Sequence, residues 1–341
     1  MVAHQMPVGK PAGTPLPRRT AAKYLAGSLF TLLLTRVGTA RANVFPRGVS
    51  HAFGETLVPG TPGRIVTLGW SGEDALIALG KTPVGMPKYP LFESGMFPWV
   101  EGLLGTNKPV LLNSGIDYEE IASLRPDLIF CIYSGIDAVA YRRLSTIAPT
   151  IAYRSGPWQA DWKEQTQIIG ESLGLANEAR GLISQTLATL SKIGCSHPVL
   201  KGKTFTFGTF VPGAAGVVVY LPNDHRVAAL MSLGMKPAAG IKALHRDNPE
   251  SSSVTVNLEQ IDRIDADVLV MWYGTGASKQ AAEAQPLLAL LPAVQRGSYV
   301  ALADPVSVWA TSALSVLSIP YGFPRFVPRL ADAARKAEQN Q

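Results

Sequence analysis

Asp117-Tyr-Glu-Glu-Ile-Ala-Ser-Leu-Arg-Pro-Asp-Leu-Ile-Phe-Cys-Ile-Tyr133 carries the reading of the fold. Residues 117–124 have helical spacing and stop before Pro126, because a proline ring disfavours helical backbone in the residue ahead of it. Residues 128–132 are then a short, wholly apolar run, the pattern of a strand buried on both faces. The same unit comes twice: Glu119, Ile121, Asp127 and Tyr133 share mutual spacings with Glu259, Ile261, Asp267 and Tyr273. Leu79-Gly80 with Pro83 likewise matches Leu233-Gly234 with Pro237. Two similar lobes are expected, with chance similarity between generic α/β units as the competing reading.

Working outward, Arg64-Ile-Val-Thr-Leu68 is a β-branched run closed by Gly69. Helical spacing follows over 73–79, and a second apolar stretch ends at Val84-Gly85-Met86. Downstream, 141–147 reads as a helix and 150–153 as a strand. Such alternation predicts an α/β fold of mostly parallel sheets with helices on their faces. Residues 161–193 carry no strand signal. Asp161 is placed to cap a helix reaching Leu173, and Asn177 to cap a second. In that second helix Ala179, Leu182, Ile183, Thr186, Leu187, Leu190 and Ile193 recur at three- and four-residue steps. Its length to Ile193 is about 25 Å, enough to join two lobes. After Lys203 the grammar restarts, with strands over 204–207 and 217–220 and a helix over 226–233. The expected organisation is a signal peptide at 1–42, a lead-in at 43–62, an N-terminal lobe at 63–176 and an inter-lobe helix at 177–193. A C-terminal lobe at 194–333 and a tail at 334–341 complete it.

Composition narrows the class. The 341 residues are 47% hydrophobic and 16% charged, ample core material for two α/β domains. The net charge of +6 lies wholly in residues 1–42, where Lys10, Arg18, Arg19, Lys23, Arg36 and Arg41 meet no acid. The remainder is formally neutral, which argues against a nucleic-acid partner. That leader reads as an export signal: its apolar run, 24–34, is too short to span a bilayer. Ala40-Arg41-Ala42 then offers small residues at the two positions a signal peptidase reads, predicting a mature start at Asn43. Arg18-Arg19 would suit twin-arginine export, although Thr20, Ala21 and Ala22 stand where bulkier residues are usual, and the general route stays open. No cysteine lies near the leader, so a soluble periplasmic product without a lipid anchor is expected. Cys131, inside an apolar run, is expected as a buried free thiol, and Cys195 follows a helical segment.

In open parallel sheets, ligands bind beyond the carboxyl ends of the strands. That rule nominates Trp70, Tyr89, Tyr133, Arg154, Trp158, Trp272, Tyr273 and Trp309 as ligand-binding residues, with Lys88, Thr209, Phe210 and Asp304 nearby. For any one tryptophan, core packing is the commoner role, but their shared placement favours a site built from several. Aromatic faces with a few cationic or hydroxyl groups suit a large, partly apolar, oxygen-rich ligand. No catalytic residue is nominated. Gly69-Trp70-Ser71-Gly72 leads to Glu73 where a nucleophile elbow needs glycine, and there is no phosphate loop or dinucleotide fingerprint. The five histidines show no metal-ligand spacing, and Asp262, Asp265 and Asp267 read as turn and cap residues.

Taken together, Arg64 to Leu68, Glu73 to Gly80, Pro83-Val84-Gly85 and the opening stretch resemble the periplasmic binding proteins of iron–siderophore and vitamin B12 ABC importers. Leu258-Glu259-Gln260-Ile261 through Leu269, and Leu291-Pro292-Ala293-Val294 through Val300, continue the resemblance, which covers about residues 63–333. It implies two α/β lobes joined by one long helix, a shallow cleft between them, and a monomer without enzymatic activity or cofactor, iron arriving inside the ligand. The ligand would be a ferric siderophore, and the subgroup looks most like the hydroxamate binders. The implied partner is an importer permease dimer with its ATPase subunits, docked through one surface glutamate per lobe, by position Glu119 and Glu259. The resemblance also implies a tyrosine and an arginine on the iron-bearing oxygens: Tyr133 or Tyr89 for the first, and Arg154, by strand-end position, for the second. Cobalamin or haem are the alternatives within the family, haem wanting an axial His225 or Tyr273. An exported two-domain α/β enzyme and a signalling receptor domain are the alternatives outside it.

Overall fold

Short apolar and β-branched runs become two separate sheets in the computed structural model, which describes residues 45–214 and 216–339. The signal segment and its cleavage site lie outside the described residues. A hairpin comes first, β1 (Arg47–His51) and β2 (Gly54–Val58). The first sheet contains β3 (Ile65–Thr67), β4 (Gly85–Pro87), β5 (Val110–Leu112), β6 (Leu128–Cys131) and β7 (Thr150–Ala152). Its order is β5-β4-β3-β6-β7, all parallel, with β3 central: Val66 pairs with Gly85 on one side and Ile129 on the other. The second sheet contains β8 (Thr204–Phe210), β9 (Gly216–Tyr220), β10 (Lys236–Pro237), β11 (Ser253–Asn257), β12 (Val268–Trp272) and β13 (Tyr299–Leu302). Its order is β11-β9-β8-β12-β13, with β10 beside the start of β8.

The helices of the first half are α1 (Gly72–Ala78), α2 (Pro98–Leu104), α3 (Tyr118–Ser123), α4 (Ala138–Ser145), α5 (Trp162–Leu173) and α6 (Ala176–Ser196). Those of the second are α7 (His225–Met231), α8 (Ala239–Asp247), α9 (Gly276–Glu283), α10 (Pro286–Ala289), α11 (Pro292–Gln295), α12 (Pro305–Ser312) and α13 (Ser318–Gln339). Asp161 caps α5 through its side chain, as its position predicted, and Asp117, expected as the first helical residue, caps α3 in the same way.

The internal echo has a structural cause. Asp127 accepts from the backbone N–H groups of Gly63 and Arg64, and Asp267 accepts from the N–H and hydroxyl of Thr204. Each aspartate ties the start of its own strand to the start of the neighbouring parallel strand.

Several expectations are corrected. Residues 47–58 of the lead-in form the hairpin, docked on the edge of the first sheet, where Ala52 N–H donates to Tyr153 O at 2.8 Å. The second sheet is mixed: β9 runs antiparallel to both β8 and β11. β8 does not stop at Gly208 but continues to Phe210. Asn177 lies inside α6, whose N-cap is Leu175, and Leu187 is exposed while Ala179, Thr186 and Leu190 form the buried stripe. Glu259 opens a 3-10 segment, Leu258–Ile264, instead of an α-helix. Residues 334–339 of the tail are the end of α13, with Ala334 and Ala337 buried.

α6 carries the chain from the first sheet to the second. One apolar core holds Val66 and Ile129 of the first sheet together with Phe205 and Val268 of the second. A second core, around Leu269, Met271 and Tyr273, fills the far side of the second sheet. The chain also returns: Ala310 and Ala313 pack into a third cluster with Met86, Phe97 and Trp99 of the first half. Cys131 is buried in β6 and Cys195 exposed on α6, and they are not bonded to each other. Among the described residues no helix is long and apolar enough to cross a membrane.

Candidate functional site

Each strand of the first sheet delivers a residue to one cavity of about 600 Å³: Trp70 after β3, Tyr89 after β4, Asn113 after β5, Ser134 after β6 and Trp158 after β7. A second cavity, about 470 Å³, lies against the other half and is lined by Tyr220, Arg226, Trp272 and Trp309, with Tyr133 facing them. Trp70, Trp158 and Trp309 line both, so the cavities adjoin along a wall of indoles. Trp70 lies 4.9 Å from Trp309 and 5.2 Å from Trp158, ring centre to ring centre. Trp158 is 46% exposed and Trp70 36%, large apolar surface left open at the mouth of a cavity. The two remaining tryptophans, Trp99 and Trp162, are buried in cores.

Two glycines set this wall. Gly69 has φ +88, and a Cβ there would collide with Tyr133 O, which accepts from Trp70 N–H at 2.9 Å. The Trp70 and Tyr133 loops can approach only because Gly69 lacks a side chain. Gly135 lies under Trp158, whose backbone N–H donates to Ser134 O at 3.0 Å, and a Cβ at Gly135 would overlap the indole nitrogen.

The charged element of the cleft is Arg226. Asp224 caps α7 and grips the Arg226 guanidinium bidentately, Nε to Oδ1 at 2.8 Å and NH2 to Oδ2 at 2.9 Å. The guanidinium lies 3.8 Å from the Tyr220 ring centre, and Tyr220 Oη accepts from Trp272 Nε1 at 2.9 Å. Burial alone would raise the Asp224 carboxyl, but Arg226, with His225 and the hydrogen bonds, holds it below the ordinary range. His225 is bonded to the Tyr133 hydroxyl at 3.0 Å, a contact between the two halves; burial first, then Arg226, keeps its imidazole below the usual value. Burial pushes the Tyr133 phenol up, so it stays protonated and able to donate.

Of the nominated residues, Trp70, Tyr89, Tyr133, Trp158, Trp272 and Trp309 come together around the cavities, and two do not. Arg154 turns away: its guanidinium bonds Ser50 O of β1 at 3.0 Å and Glu171 of α5 at 2.5 Å. The hairpin, absent from the sequence reading, claims it. Tyr273 is 1% exposed in the second core, its hydroxyl 2.6 Å from that of Tyr299. Successive residues of an extended strand face opposite sides, so with Trp272 in the cleft its neighbour is turned to the core. Neither Tyr273 nor the inward-bonded His225 lines the cavities.

Sequence reasoning missed Arg226 and Tyr220. Tyr220 ends an antiparallel strand, to which the carboxyl-end rule does not apply. Arg226 carried a readable signal: a cation in the first turn of a helix opposes the helix dipole and asks for a compensating reason. Asp265, by contrast, proves structural, accepting from Ala293 N–H. Among the described residues no cluster of three or more His, Cys, Asp or Glu could hold a metal ion. Glu119 and Glu259 are both exposed, on α3 and the 3-10 segment.

The profile of the periplasmic binding protein family matches residues 65–305. The chain belongs to that family. It is 29% identical over 229 residues to the probable siderophore-binding lipoprotein YfiY of Bacillus subtilis (strain 168), covering 65% of this chain and 67% of that one. With the Fe(3+) dicitrate-binding periplasmic protein FecB of Escherichia coli (strain K12) it shares 28% identity over 265 residues, 73% of this chain and 82% of the other. The crystal structure of Streptococcus pneumoniae TIGR4 PiaA in complex with ferrichrome superposes with a TM-score of 0.76 at 30% identity, over 85% of this chain and 99% of that one. The two-lobed α/β architecture read from the internal echo is therefore that of a solute-binding protein.

Proposed function

We propose that this protein is the solute-binding component of an ABC importer, capturing an iron(III)–siderophore complex in the periplasm and delivering it to a permease. The observation that carries this reading is the cleft: indoles from both halves surround a single, largely buried guanidinium. The similarity to siderophore- and ferric-citrate-binding relatives supports it. The iron is cargo, entering already wrapped by the siderophore.

The charge of the lining narrows the ligand. Lys88 and Arg226 are offset by Asp137 and Asp224, so the two cavities are formally neutral. A ferric tris-hydroxamate, with little net charge and apolar flanks, fits that balance better than a polyanionic catecholate or citrate complex, which would want unpaired cations. Tyr133 and Arg226 are the groups suited to donate to the iron-bearing oxygens. Export through the 1–42 leader, release without a lipid anchor, and docking through Glu119 and Glu259 belong to the same proposal.

The test is quenching of tryptophan fluorescence by ferrichrome, ferrioxamine B, ferric citrate, ferric enterobactin, cobalamin and haemin. Saturable quenching is expected, strongest with the hydroxamates. Preference for cobalamin or haemin, or quenching by none, would sink the reading.

A further inference from the structure

α1 opens with two carboxylates, Glu73 and Asp74, both 0% exposed. Placing such groups in a core without compensation costs several kcal/mol each when ionised. Among the described residues neither has an ion-pair partner. The titratable groups acting on the pair are the two acids themselves and Tyr89, a neighbour in the loop after β4. The other elements packed here bring uncharged groups: Gln165 of α5, bonded to Ser71; Trp99 of α2; and Ser315, in the turn between α12 and α13.

The hydrogen bonds divide the two acids. Asp74 Oδ2 accepts from Trp99 Nε1 at 2.7 Å and from the Ser315 hydroxyl. Two donors on one oxygen suit an ionised carboxylate and point the wrong polarity at a metal cation. No hydrogen bond of acceptable geometry reaches either Glu73 oxygen. Burial and then the charge of Asp74 raise the Glu73 carboxyl above its ordinary range; burial raises Asp74 as well, but there the hydrogen bonds from Ser315 and Trp99 pull it part of the way back down.

What Asp74 holds is the back of the cleft wall. Trp99 stacks on Phe97 at 4.5 Å, Phe97 stacks on Tyr89 at 3.7 Å, and Phe97 also lies 5.4 Å from Trp309. Ser315 anchors the turn that follows Trp309, and Trp70 lies just ahead of α1. We infer that Glu73 holds a proton while Asp74 is ionised, and that this singly charged pair positions the Tyr89–Trp309 side of the ligand cleft. Loss of that proton would leave two negative charges in the core and loosen the segments that Asp74 ties together. Only the ligand arm of the test rests on the siderophore reading.

The experiment compares the full chain with Glu73→Gln. At pH 7 the infrared spectrum of the wild type should contain the carbonyl stretch of a protonated carboxylic acid, absent from the variant; its absence from the wild type, or persistence in the variant, overturns the proton assignment. Thermal melting gives a second reading. The folded protein keeps a proton that the unfolded chain loses, so wild-type stability should fall as pH rises from about 4.5 to 8 and level off above. Against that, the melting temperature of Glu73→Gln should gain on the wild type across the same range, and a constant difference overturns the assignment. Ferrichrome titrations then test positioning: wild-type affinity should weaken above pH 8, by up to about tenfold per pH unit, the limit for one linked proton, while the variant stays flat. Parallel profiles overturn the positioning role. Absence of ferrichrome quenching in both proteins would overturn the ferrichrome-type hydroxamate assignment, while the infrared band still decides where the proton is.

Discussion

The Arg226 guanidinium is gripped by Asp224, lies over the Tyr220 ring and borders the cleft. Arg226→Ala would strand a buried carboxylate, a loss of about 3–5 kcal/mol for a broken buried pair. Arg226→Lys keeps the charge but not the planar fork. It is the cleaner probe: fold retained by circular dichroism, with ferric-hydroxamate affinity reduced about tenfold or more in fluorescence titration, the scale of a lost charged hydrogen bond. Arg154→Ala is the matched control. Its ion pair with Glu171 is one-third exposed and screened, a contact of about 0–1 kcal/mol, and affinity should not change. Weakened binding in Arg154→Ala with normal binding in Arg226→Lys would reverse the assignment.

At the level of elements, the cleft depends on loops that touch because glycine permits it. Gly135→Ala pushes against the Trp158 indole, a local overpacking worth about 1–3 kcal/mol. Trp158 is half-exposed and can swing outward, so the strain should appear in binding more than in stability. The expected result is a severalfold weaker ferrichrome titration with a melting temperature close to the wild type. A large drop in melting temperature with unchanged affinity would place Gly135 in the core instead of the site. Tyr133 shows the same dependence on neighbouring elements: it reaches the cleft on the turn after β6, where its hydroxyl meets His225 of α7.

For the whole molecule, the proposed function assigns recognition and delivery to different surfaces. The ligand cavities are lined by strand ends and α7, whereas Glu119 and Glu259 are exposed on α3 and the 3-10 segment and line neither cavity. Exposed charges of this kind govern encounter with a partner more than fold stability. The double variant Glu119→Ala, Glu259→Ala should therefore bind ferrichrome normally and fail to support iron uptake in cells. Normal uptake would remove the docking role. α6, together with the return of α12 into the first half, limits how far the two halves can separate, so small opening motions are expected.

Local pattern was sufficient for the elements whose signal is short-range: the helix–turn–strand unit at 117–133, the strand of its echo at 268–272, the cap Asp161, and the family resemblance that follows from their order. Four tryptophans were also legible as cavity-lining residues, because the carboxyl end of a parallel strand is a place that sequence can name. Only the tertiary structure decided which side chains at those ends face the cleft. Arg154 lost its place to a hairpin more than a hundred residues upstream, Tyr273 to the alternation of an extended strand, and Arg226 gained its place through Asp224 and Tyr220. The physical reason is one of range: caps and periodicity depend on neighbours a few residues away, whereas the direction of a long side chain depends on whatever distant segment satisfies its charge or covers its ring.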